Sequence, residues 1–315
     1  MRRGYSSLGL SVVLPAAACG AHFRPAAFVR KLTVAAGLAG LALKAAVAFS
    51  SAIAAPVASA PSTSASLPTT EPPCDKPVYL TIDTGHMGVA QLVADVLNRH
   101  HVRATFFLAN EKTLDGGSSL DDQWAPWWKA RAAEGHLFGS HTYDHVYWMA
   151  DLPGEPPSFR VRPSAVPQAG KASTATAAQY CEELDRSARR FEQMTGQPMA
   201  PIFRAPGGKT SPRLLASAKA CGWMHVPWSP AGFLGDELPS ERYSNQALLD
   251  KALRDIRPGD VLLMHLGIWS RKEPWAPADL EPLVTGLQER GFCFDTLRSH
   301  PAYRAALAHT PAPAR

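Results

Sequence analysis

Ser140-His141-Thr142-Tyr143-Asp144-His145 places two histidines four residues apart, with an aspartate beside the second. Side chains at i and i+4 share one face of a helical turn, so this pair could ligate one metal ion. Such an ion takes a third protein ligand and, in a catalytic site, keeps an open position for water. Hydrolysis at that ion also needs a base, an acid for the leaving group and a donor to the developing oxyanion. Two histidines alone say little, since most histidines are polar surface or satisfied core groups. The rest of the chain decides.

The elements that must position these groups alternate along the sequence. Pro77-Val78-Tyr79-Leu80-Thr81-Ile82 is a β-rich run ending at Asp83-Thr84-Gly85-His86. Residues 88–99 carry Val89, Leu92, Val93, Val96 and Leu97 at helical spacing. Residues 102–108 read as a second strand, 121–134 as a helix, and 135–139 as a short strand running into His141. Residues 151–176, rich in Pro, Gly, Ala and Ser, read as an irregular surface excursion beside the site. Tyr180 to Gln193 is a charged amphipathic helix closed by Thr195-Gly196. Ile202-Phe203 leads into Arg204-Ala205-Pro206-Gly207-Gly208-Lys209, and Ser211 caps a helix that starts at Pro212. Trp223 to Val226 is a strand, Gln246 to Asp255 a helix, and Asp260 to Met264 a buried strand ending at His265. A helix over 279–290 and the strand Phe292-Cys293-Phe294 complete the body, with a loose tail from Thr310. This alternation predicts a parallel α/β sheet or barrel, whose reactive residues gather at the carboxyl ends of strands. Those ends hold Asp83, His141 with His145, Arg204 and His265.

The chain has 315 residues, 46% hydrophobic and 19% charged, which suits a globular body with a sizeable core. The net charge is +5, but the main body has no Lys/Arg block or basic stripe, which argues against nucleic acid as a partner. A mildly basic body would favour an acidic polymer such as an envelope glycan. Arg30 and Lys31, the apolar run from Leu32 to Leu43 and the small residues Ala52-Ile53-Ala54 are the three parts of a secretory leader, with cleavage expected near Ala54. Lys44 interrupts the run, so a lasting membrane span is not expected after cleavage. The leader, 1–54, is long, and a translation start near Val29 would leave a compact signal. Residues 55–75 read as an Ala/Ser/Pro-rich linker, 76–300 as one catalytic domain and 301–315 as a tail. Loss of the leader removes Cys19 and leaves Cys74, Cys181, Cys221 and Cys293. That even count allows two disulfides in three connectivities, or four free thiols.

The ordered set Thr81-Ile82-Asp83-Thr84-Gly85, Ser140 to His145, Arg204-Ala205-Pro206-Gly207-Gly208 and Leu262-Leu263-Met264-His265 resembles the motifs of the NodB-like polysaccharide deacetylases, of the carbohydrate esterase family 4 type, along residues 76–298. The resemblance implies a distorted (β/α) barrel and a divalent metal, commonly zinc, in an Asp-His-His site. It implies hydrolysis of N-acetyl, sometimes O-acetyl, groups on a sugar polymer. His141 and His145 match the metal-binding histidines, and Asp83 the base that deprotonates the metal-bound water. Arg204 matches the arginine that orients this base, His265 the acid for the leaving amine, and Gly207 the residue whose N–H serves the oxyanion. Two positions depart from the pattern. Thr84 stands where the family's metal-binding Asp follows the base, and its neutral hydroxyl is a weaker metal ligand; the metal site then has two histidines plus waters, or Asp83 itself moves toward the metal, or His86 helps. Val226-Pro227-Trp228 lacks the acidic residue that supports the general acid, and Asp236 is the nearest candidate.

Plainer roles stand beside these. Asp83 could cap a helix, Arg204 could form a surface salt bridge, and His265 could be a buried structural histidine. Trp124, Trp127 and Trp128 fit the core, whereas Trp228, Trp269 and Trp275 follow strands and could stack on a sugar ring. The expected activity is that of an exported, periplasmic or secreted deacetylase of an acetylated polysaccharide. A deformylase or amidohydrolase acting on a smaller substrate, or a catalytically weak glycan-binding relative, is the alternative. Oligomeric state is not legible.

Overall fold

The computed structural model describes residues 74–165, 169–308 and 310. The expected leader and its cleavage site, and all of the linker before Cys74, lie outside the described residues, as do 311–315 of the tail.

Four strands set the frame: β1 (Pro77–Asp83), β2 (Thr105–Leu108), β3 (Leu137–Ser140) and β7 (Ile202–Phe203). All but the first residue of these strands are buried, as expected of parallel strands covered on both faces. With β8 (Met224–His225), β9 (Val261–His265) and β10 (Cys293–Phe294) they form a wholly parallel sheet in the order β10-β1-β2-β3-β7-β8, and β9 pairs along the other side of β1. After β8 the chain turns back to β9: Phe233 bridges Leu263 in parallel, and the Ser229 N–H bonds the Val261 carbonyl at 3.0 Å. The curled sheet is thus the expected distorted, incomplete barrel. Helices α1 (Ala90–Arg99), α2 (Ala125–Ala133), α4 (Pro212–Ala220), α5 (Asn245–Asp255) and α6 (Glu281–Glu289) connect the strands. Helix α3 (Ala177–Thr195) turns Tyr180, Leu184, Ser187, Phe191 and Met194 inward at helical spacing. A Thr176/Gln179 capping box starts it, and left-handed Gly196 ends it.

Three expectations are corrected. Residues 151–176 are not an irregular excursion: with the end of the preceding segment they form an antiparallel sheet of β4 (Val146–Leu152), β5 (Ser158–Pro163) and β6 (Ser173–Thr176). Strand β5 alternates strictly, with Phe159, Val161 and Pro163 buried and Arg160 and Arg162 exposed. Residues 141–145 are not a helical turn but a tight non-helical one, with left-handed Thr142 (φ 61°) and His145 (φ 47°). The tail is not separate from the body. Tyr303 and α7 (Arg304–Leu307) pack into a second apolar cluster with Tyr79, Phe107 and Ile202.

Two disulfides choose one of the three connectivities, Cys74–Cys293 and Cys181–Cys221. The first ties the start of the body to β10, and the second links α3 to the end of α4.

Candidate active site

Strands β1 and β9 run in register, so that Asp83 and His265 are direct neighbours at their carboxyl ends. Strand β3 ends one residue before His141, and β7 one residue before Arg204. The close approach of the two exits depends on glycine: a Cβ on Gly85 would overlap the Gly267 carbonyl oxygen.

Asp83 is 2% exposed and Arg204 fully buried. The Arg204 guanidinium donates from Nη1 to Asp83 Oδ1 at 2.9 Å and from Nε to the Val226 carbonyl at 3.2 Å. It lies 4.4 Å from the Phe107 ring centroid and 5.7 Å from that of Trp228. Burial alone would raise the Asp83 carboxyl, but the Arg204 charge, aided by His141 and His265, holds it below the usual carboxylate range.

The two imidazoles face each other, with Nε2 atoms 3.2 Å apart, and Asp83 Oδ2 lies 3.5 Å from His141 Nε2. His141 Nδ1 donates to the Arg204 carbonyl at 2.9 Å, which leaves the Nε2 lone pair free. The Ser164 hydroxyl contacts His145 Nδ1 and donates to the His145 carbonyl at 3.3 Å, an arrangement that frees the other Nε2 as well. Burial pushes His145 down to about 4, so it stays neutral, the ligating form. Two lone pairs and a carboxylate oxygen converging in this way repel one another unless a cation or a proton lies between them. Zn–N bonds of about 2.0–2.1 Å at a tetrahedral angle would set two nitrogens about 3.3 Å apart, so the pair fits a divalent ion. Among the described residues, no group of three His, Cys, Asp or Glu forms a complete ligand set.

His265 is held from behind. Its backbone N–H donates to Asp236 Oδ2 at 2.7 Å, and its Nδ1 lies 3.1 Å from Asp236 Oδ1. Burial would lower the imidazole, but the Asp236 carboxylate, with Asp83 and Glu237, lifts it to about 9. Gly207 turns left-handed (φ 62°) against Tyr147, where a Cβ would meet the ring at 2.9 Å. Tyr147 in turn packs edge-on to His145 at 5.0 Å between ring centroids. One cluster therefore holds a depressed carboxylate, the facing imidazoles of His141 and His145, and the raised imidazole of His265.

The sequence profile described as Polysaccharide deacetylase matches residues 70–226. The chain belongs to the polysaccharide deacetylase family. It is 26% identical over 224 residues to a peptidoglycan-N-acetylmuramic acid deacetylase of Bacillus subtilis, covering 71% of this chain and 70% of the relative. It is 26% identical over 230 residues to a chitooligosaccharide deacetylase of Azorhizobium caulinodans, covering 70% and 92%. A family 4 carbohydrate esterase from Streptomyces lividans, solved with acetate, shares the fold at TM-score 0.51 and 21% identity, covering 77% of this chain and 100% of that one.

The remaining candidates of this family member fall into place around the cluster. The Thr84 hydroxyl accepts from the Ala109 N–H at 3.0 Å, so it secures the exit of β2. Asp144, beside His145, accepts from Arg186 on α3 at 3.2 Å. His86 accepts from the Gly88 N–H at 3.0 Å and packs against Trp269. Trp228 lies over Gly208, where it backs Arg204. Trp275 is 2% exposed and Trp128 fully buried, so both are core residues, whereas Trp269 is 59% exposed. Asp236 stood out in the sequence only as the nearest acid. Ser164 and Tyr147 carried no signal there, because only the folded loops bring them to His145.

Proposed function

We propose that this protein is an exported, metal-dependent hydrolase that removes N-acetyl or O-acetyl groups from an envelope or extracellular polysaccharide. The observation that carries the reading is the convergence of Asp83 Oδ2 on the facing Nε2 atoms of His141 and His145, with Asp83 paired in register to His265. The family supports it, and so do the named activities of the two relatives. Two disulfides fit an oxidising compartment, and no helix of the described residues is long and apolar enough to cross a membrane.

His141 and His145 would hold the cation, and their donor type suits zinc. When bound, that ion would polarise the acetyl carbonyl and acidify a water. Asp83 Oδ2 takes the proton of the attacking water, and Arg204 keeps that carboxylate ionised and fixes its orientation. His265 protonates the departing nitrogen, for which an unprotonated amine is a poor leaving group. Asp236 fixes the ring so that Nδ1 is occupied and Nε2 faces the reaction. The Gly207 N–H donates to the oxyanion. Thr84 favours a second reading, a weakly catalytic glycan-binding relative, because a hydroxyl adds no charge to the metal site. Acetate release from acetylated chito-oligomers and peptidoglycan, with and without chelator, separates the two.

A further inference from the structure

Asp236 can hold the His265 ring only if the segment that carries it, residues 236–245, stays in place. That segment has little packing of its own. Glu237, Pro239 and residues 241–244 are exposed, and Leu238 anchors the stretch to the apolar core. Three consecutive residues beyond β9 reach across to it. The Ser270 hydroxyl donates to the Glu237 carbonyl at 3.3 Å, and Lys272 pairs with Glu241 at 2.6 Å. Both contacts lie in solvent, where such pairs add little.

Arg271, between them, is different. It is 5% exposed, a buried cation on the surface segment's inner side. Its Nη1 donates to the Leu238 carbonyl at 2.6 Å, and its Nη2 to the Tyr243 carbonyl at 2.9 Å and to Asn245 Oδ1. One planar guanidinium thus ties both ends of the stretch that follows Asp236, a bridge that its rigid fork of donors suits. Hydrogen bonds from a charged donor are also stronger than neutral ones. Arg271, Asp236 and His265 border a single cavity of about 20 Å³, so the clamp faces the pair it secures. Asp236 reaches from its segment to the His265 N–H and Nδ1, at 2.7 and 3.1 Å. Arg271 reaches back from the loop that follows His265. Two crossing braces therefore lock the two loops together, where either one alone would leave a pivot.

We propose that Arg271 is a positioning residue: it clamps segment 236–245 so that Asp236 stays against His265, and through Asp236 it orients the acid used on the leaving nitrogen. This rests on the role of His265 proposed above. The leaving group supplies the test, because an amide nitrogen must be protonated to depart whereas nitrophenolate leaves unprotonated. Arg271→Met removes the donors and keeps an apolar stem. It should lower kcat for acetate release from acetylated chito-oligomers about tenfold or more, with KM unchanged, and leave nitrophenyl acetate hydrolysis within about twofold of wild type. Amide hydrogen exchange reads the same clamp without turnover. The His265 N–H should exchange about tenfold faster in the variant, while Leu262 and Leu263 within β9 keep wild-type protection. Arg271→Lys should recover part of both losses, and Arg271→Met placed on Asp236→Ala should add little to the loss that Asp236→Ala causes alone. Equal losses on amide and ester, or faster exchange throughout β9, would overturn the inference by making Arg271 a residue of general stability. Wild-type kcat and an unmoved His265 N–H would overturn it and leave the deacetylase reading standing. A His265 N–H that responds to Arg271→Met in a protein releasing no acetate from any glycan would support the clamp while removing the deacetylase reading.

Discussion

Arg204 has no access to water, and its charge is balanced by Asp83 at 2.9 Å. The same pair keeps Asp83 ionised for proton transfer. Asparagine at 83 retains an acceptor for Arg204 but cannot take a proton, so Asp83→Asn should lower turnover by about 10²–10⁴-fold while the far-ultraviolet dichroism stays native. His265 makes the opposite demand, because it must be protonated to act. Its raised value predicts that kcat falls as pH rises through about 9. Asp236→Asn removes the main stabilising charge and should move that alkaline limb toward neutrality; an unmoved limb would mean that Asp236 does not support the acid. The same shift bears on stability. A cationic His265 favours the folded state fully below its unfolded value near 6.5, and that contribution fades as pH rises through about 9. Asp83 has the reverse sign, because its lowered carboxyl contributes above the ordinary value of 3.8 and loses that contribution as acid protonates the folded state.

The strands of the large sheet were legible because buried parallel strands are apolar runs, and a polar residue at the end of such a run marks the catalytic edge. Asp83, His141, Arg204 and His265 were all found in this way. Strands β4 to β6 were not, because their Pro- and Gly-rich flanks hid a short alternation at Phe159, Val161 and Pro163. The i,i+4 spacing of His141 and His145 pointed to a helical turn. Left-handed residues at Thr142 and His145 bring the rings together by another route. Asp236 lies 29 residues from His265, a pairing that only the fold reveals. The exits of β1 and β9 touch through Gly85 and Gly267, so Gly85→Ala should cost about 1–3 kcal/mol and lower the thermal midpoint, with the largest activity loss at the neighbouring Asp83. A Gly85→Ala melt matching the wild type would show that this contact is not tight.

Across the whole molecule, the cysteine count set only the number of possible bridges, since three pairings of four thiols are equally compatible with their spacing. The fold selects one bridge across 40 residues between α3 and the end of α4, and one across 219 residues that secures the start of the body. Replacing Cys181 and Cys221 together by serine should cost about 3 kcal/mol, read as a lower denaturant midpoint, with a steeper slope because the unfolded chain is less compact. The same bridges match the export expected from the leader. The central claim is that His141 and His145 serve a metal-dependent deacetylation driven by Asp83 and His265. It is tested most directly by measuring the metal content of the purified mature protein together with acetate release from acetylated chito-oligomers and peptidoglycan, with and without chelator. The account predicts one bound divalent ion per chain and acetate release that chelator abolishes and added zinc restores. A metal-free protein that binds these glycans and releases no acetate would contradict it.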